Sequence, residues 1–233
     1  DKGPHGKLRA DASYTKIVAN GKTEWIKLQP GMEKAAAFLE THRYAALKGA
    51  SLGFTKMEGT TVNAKDKIAY SALQNVQGSM VLGDKANVPG NGISVLKTLK
   101  AGTIMALNLK GGQSDLGGSA INSEWMPVDT KALLAGEDIA ADALGNTANP
   151  EKIANPDNLK FSEKMRTLFI GEDSSQHVNN FLWAYHIDSK QLSRVMSIPA
   201  GGESTGLHAV DEINGWTYIS SNFQHAGDWG GIH

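Results

Sequence analysis

Four short stretches place carboxylates or amides where a β scaffold could gather them. They are Phe54-Thr55-Lys56-Met57-Glu58-Gly59, Pro156-Asp157-Asn158-Leu159, Gly171-Glu172-Asp173 and Gly202-Glu203-Ser204-Thr205-Gly206. The segment Asn222-Phe223-Gln224-His225 follows the last of them. Acidic residues collected from several strand ends build an oxygen-rich site for hard cations. Each stretch also has a plainer reading. Glu58, just past an expected strand, reads first as a surface hairpin acid, or as an acid that Gly59 lets the backbone aim inward. Asp157 and Asn158 after Pro156 read as an Asx-turn or helix N-cap, or as a metal-ligand carboxylate with an amide beside it. Glu172 and Asp173 follow Leu168-Phe169-Ile170 and repel each other unless a cation compensates, or they are solvated loop charges. Glu203, with glycines close on both sides, is either a turn acid or a ligand. His225 is a lone histidine, a type more often structural than catalytic.

Several chemistries are excluded. The 233 residues contain no Cys, so no disulfide, thiolate nucleophile or Cys-ligated zinc comes from this chain. The seven histidines form no H-E-x-x-H, no G-x-S-x-G occurs, and Gly111-Gly112 lacks the P-loop Lys and Ser/Thr. The formal net charge of −1 creates no general attraction for nucleic acid or anionic membrane. No apolar run approaches the length of a membrane span. A hydrophobic fraction of 40% supports a sizeable core. The chain begins at Asp1 and ends at His233 without an obvious structural stop, so it is expected to be a piece of something longer.

The elements that must position these residues are mainly β. The 26 glycines favour a turn-rich β protein. Residues 1–22 read as an irregular lead-in with a strand over Tyr14–Ala19, and Glu24–Leu28 as a second strand. Met32–Leu47 carries apolar residues at helical spacing and predicts one helix. Strands are expected over 51–56, 67–73, 103–109, 166–170, 181–187, 192–198, 207–213 and 216–223. Asn214-Gly215 predicts a hairpin turn. Asp129–Leu134 reads as a short helix, and 75–98 and 136–155 as long loops. Short, closely spaced strands indicate a sandwich, a barrel or propeller blades, with no strict repeat to choose among them.

The motifs, taken in order, resemble the PhoX-type secreted alkaline phosphatases. Thr41 to Ala50 and Phe54 to Gly59 match first. Asn155 to Leu159, Leu168 to Asp173, His177-Val178-Asn179-Asn180, Gly202 to Gly206 and Ser221 to His225 follow in the family's order. The resemblance implies that 1–233 is the C-terminal part of a single β-propeller domain. It implies a metal-dependent phosphomonoester hydrolase, exported to the periplasm or outside a bacterial cell, with calcium and iron as cofactors. Glu58, Asp157, Glu172 and Glu203 match acidic positions expected to hold metal. Lys56, Asn158, Asp173 and His225 match positions expected to support the metals or bind phosphate. The implied partners are a phosphomonoester substrate and the N-terminal half of the same protein. Two departures stand against this: the family's iron site uses a Cys, and the family protein is much longer. A calcium-dependent propeller hydrolase of lactones or phosphotriesters, or a non-catalytic propeller fragment serving as a binding or structural subunit, are the alternatives.

Overall fold

The computed structural model describes residues 11–19, 22–88, 92–115 and 117–227. Residues 1–10 of the expected lead-in and 89–91 of the expected long loop lie outside the described residues. The chain divides into two compact units, Asp1–Phe54 with Gly78–Thr98, and Thr55–Gln77 with Leu99–His233.

In the first unit, β1 (Thr15–Ala19) and β2 (Lys22–Ile26) pair antiparallel. The single expected helix is two: α1 (Glu33–Leu39) and α2 (Thr41–Leu47). Glu40 leaves helical geometry at φ −135°, and the Thr41 hydroxyl donates to the Ala37 carbonyl at 2.7 Å. A side chain bonding back to the preceding turn competes with helix propagation. Arg43 of α2 forks onto Glu24 of β2, with Nε donating to Oε2 at 2.7 Å and Nη2 to Oε1 at 2.9 Å. That fixes the helix pair to the hairpin with a bidentate, charge-assisted contact.

The second unit holds three antiparallel sheets. The first runs β3 (Met57–Asn63), β4 (Ile68–Leu73), β5 (Thr103–Lys110), β6 (Met126–Ala135). The second runs β7 (Pro156–Ser162), β8 (Thr167–Glu172), β9 (Phe181–His186), β10 (Gln191–Ser197). The third is the hairpin β11 (Glu203–Ile213) and β12 (Trp216–Gln224), closed by Asn214 and Gly215 at φ 52° and 84° as a primed turn requires. The main core lies between the first two sheets, where Tyr70, Ala72, Ile104 and Ala106 meet Leu168, Ile170, Trp183 and Tyr185. Phe169 and Leu182 face the other way and pack with Ala209 of β11. β8 is therefore covered on both faces, and this explains its unbroken apolar run.

Four expectations change. Residues 51–56 form no strand, and β3 begins after them, so Glu58 lies inside a strand. Asp157 and Asn158 sit in β7, with no Asx-turn or helix cap. β11 starts at Glu203, four residues before the apolar run that predicted it. Asp129–Leu134 is strand, part of β6 paired along β5. In each case a polar or glycine-containing segment is held extended by its neighbour, and ladder pairing outweighs local propensity.

Glycines set how closely strands of different sheets approach. A Cβ on Gly59 of β3 would lie 2.4 Å from the Asp157 carbonyl oxygen of β7. A Cβ on Gly171 of β8 would lie 2.6 Å from the Ser204 carbonyl oxygen of β11. Both obstructions are backbone, which cannot swing aside. Gly59→Ala or Gly171→Ala is expected to cost about 2–3 kcal/mol by overpacking, measured by urea denaturation.

Candidate metal centre

The site grows from those close approaches. β7 packs between β3 and β11, so the N-terminal ends of three strands from three sheets lie side by side. In β7 the register shifts between Pro156 and Leu159, placing Asp157 and Asn158 opposite one partner residue. β3 does the same between Met57 and Thr60, around Glu58 and Gly59. A bulge re-aims the side chain it carries, and here each bulge carries an acid.

Asp157, Asp173 and Glu203 converge, with one carboxylate oxygen from each lying within 4.8 Å of the others. All three are half-buried. Burial, then the charges of Glu58 and Asp173, push the Asp157 carboxyl up to about 6. Burial, the hydrogen bond that its protonated carboxyl donates to Asp173, and the charges of Asp173 and Asp157 push Glu203 up to about 7, with His225 acting in the opposite sense. These carboxylates are crowded together without enough positive charge to compensate them.

The other expected residues take distinct places. Glu58 is half-buried at the margin and pairs with Lys56, Nζ to Oε1 at 3.0 Å. Lys56 lies at φ 45° just before β3, and Glu58 holds its ammonium above the usual lysine range. Asn158 donates to Asp157 Oδ1 at 3.1 Å, fixing that carboxylate rather than standing apart from it. His225 follows β12 at φ 59°, exposed, 2.7 Å from the Gln224 side-chain nitrogen.

Glu172 and Asp173 stand in different surroundings. Successive residues of a strand point to opposite faces. Glu172 shares the face of Leu168 and Ile170, and is fully buried. Its carboxylate meets four donors: Ala154 N–H at 2.8 Å, Trp183 Nε1 at 2.6 Å, Phe181 N–H at 2.9 Å and His177 Nδ1 at 3.0 Å. Asp173 shares the face of Gly171, which touches β11, and so reaches Glu203. Glu172 secures the strand end from which Asp173 projects.

Two supporting residues are not among the expected site residues, although Asn155 opens one of the matched stretches. Gln74, one residue past β4, donates Nε2 to Asp173 Oδ2 at 2.8 Å. Buried Asn155 donates to the Gln74 and Lys100 carbonyls, both at 2.8 Å, and accepts from Ser174 Oγ at 2.6 Å. Their partners are 19 to 99 residues away, so no local pattern identifies them. Gln74→Ala is expected to weaken cation binding about tenfold, read by calorimetric titration with calcium.

The donors are all oxygen, which fits a hard divalent cation such as calcium. No thiolate is available here for an iron site of the kind that uses Cys.

No family model matches the sequence, and no curated protein matches it. Among solved structures, the chain is similar to PhoX of Pseudomonas fluorescens in complex with vanadate, a transition state analogue, with a TM-score of 0.51. The two are 19% identical, and the match covers 89% of this chain and 36% of that one. The chain therefore spans little more than a third of the length of PhoX, and the likeness is one of fold.

Proposed function

We propose that this PhoX-like chain supplies part of the site of a metal-dependent phosphomonoester hydrolase, within a β-propeller, releasing inorganic phosphate. One observation carries the reading: Asp157 from β7, Asp173 from the end of β8 and Glu203 from β11 of a second sheet meet with their mutual repulsion unrelieved, beside the Lys56 ammonium. A cluster with that excess of negative charge suits a cation, and a cation beside a lysine suits a phosphate.

Asp157, Asp173 and Glu203 would hold the cation, with calcium the ion their oxygen donors suit best. Bound there, it would neutralise the ester oxygens and offset the charge that develops on them. Lys56 holds a phosphate oxygen as a point charge, exchanging its contact with Glu58 for one with substrate. Gln74 and Asn158 keep Asp173 and Asp157 aimed, so the donors need not reorganise when the ion arrives. Iron belongs to this proposal only with ligands from outside the chain, such as an N-terminal half of the same protein. Export from a bacterial cell is part of the same reading.

The test is hydrolysis of p-nitrophenyl phosphate with and without calcium, alongside calorimetry. Turnover is expected only with the cation and should fall about 100-fold in Asp157→Asn. Calcium binding without turnover of any phosphomonoester would point to a binding subunit instead. No calcium binding at all would remove the metal centre and the phosphatase reading with it.

A further inference from the structure

A cavity of about 370 Å³ opens on Asp173, entirely within the second unit. Its walls include Ser174, Ser175, His177, Val178 and Gly201. That volume lies at the small end of ligand pockets, roughly 300–1,000 Å³.

The walls are stiff and their chemistry is narrow. The Ser174 N–H donates to Asn180 Oδ1 at 2.9 Å, and the Val178 N–H to Asn146 Oδ1 at 2.8 Å. His177 is held edge-on to Phe181 at 5.5 Å and by Glu172 at 3.0 Å, so its ring is not free to turn as a stacking face. Val178 is the one apolar side chain larger than a hydrogen among the described lining residues, and no Phe, Tyr or Trp lines the space. Ser175 is an exposed residue of the lining. A pocket without an aromatic wall gives a flat ring little to pack on, while short hydroxyl-bearing groups find polar partners.

We propose that this cavity receives the alcohol portion of the phosphoester and favours a short hydroxylated alcohol, glycerol- or sugar-like, over an aromatic one. The inference rests on the phosphatase reading above. Asp173 belongs both to the acid cluster and to the cavity wall, so an ester with its phosphate at the acids directs its alcohol into this space.

The experiment uses Ser175→Trp, which fills the cavity from an exposed position outside the acid cluster. Glycerol 3-phosphate and phenyl phosphate are compared as substrates, with inorganic phosphate as inhibitor and a melting curve as fold control. In Ser175→Trp, kcat/KM for glycerol 3-phosphate is expected to drop at least tenfold, while inhibition by phosphate stays unchanged. An unchanged kcat/KM overturns the proposal, as does a parallel loss of phosphate inhibition. Wild-type preference for phenyl phosphate overturns the class of alcohol. If neither ester is hydrolysed, the phosphatase reading has failed separately. Saturation-transfer NMR with glycerol 3-phosphate and calcium then reads the cavity alone. A ligand signal weakened in Ser175→Trp supports the subsite; equal signals, or none, overturn it.

Discussion

Calcium is expected to raise the melting temperature of this protein at about pH 8 by roughly 5–10 °C and to change it little at about pH 5. The sign follows from the two raised carboxyls. Asp157 moves from 3.8 to about 6 and Glu203 from 4.5 to about 7 on folding. An acid whose folded value is raised contributes its full stability below the unfolded value and loses it as pH climbs through the folded one. Without a cation, the fold therefore weakens between about pH 4 and 7, by about 1–2 kcal/mol once solvent screening of these half-exposed groups is allowed for. The opposite class, which includes Asp66, Asp142 and Asp188, has lowered carboxyls and loses stability only below about pH 4, so it does not mask the window. A cation supplies the missing positive charge and restores what ionisation removed. Asp157→Asn separates repulsion from binding. It should stabilise the cation-free protein at about pH 8 and abolish the calcium response. Melting curves at the two pH values, with calcium or EDTA, decide this. A calcium shift as large at pH 5 as at pH 8 would sink it.

Removing the Glu172 carboxylate is the second large effect. Glu172→Ala leaves His177 Nδ1, Trp183 Nε1 and two backbone N–H groups without their acceptor inside the core. Breaking a buried charged network by deleting one partner costs about 3–5 kcal/mol, or roughly 10 °C in a domain of this size. Glu172→Gln keeps the shape but turns an amide NH₂ toward groups that already donate, so most of that loss is expected to remain. Calcium affinity separates a structural from a ligand role. At a low temperature where Glu172→Gln is still folded, the calcium Kd should stay within about threefold of wild type. A loss of 100-fold with unchanged melting would make Glu172 a ligand and reverse the assignment drawn from its hydrogen bonds.

The mainly β character was written in the sequence. So were the hairpin at Asn214-Gly215, most strands between 166 and 223, and the acid-bearing stretches that meet at the centre. These rest on short-range signals: alternation, β-branched runs and residues that accept positive φ. β3, β6, the whole of β7 and the early start of β11 were not legible, because polar residues are held extended there by neighbouring strands. The division of labour between Glu172 and Asp173 was likewise hidden. Both are acids after the same apolar run, and one residue of register sends them to opposite faces of β8. Local sequence determined which side chains reach the strand ends. Only the tertiary structure decided which carboxylates share a space and which one four buried donors consume, because that depends on the packing of sheets whose contacting residues lie up to 100 positions apart.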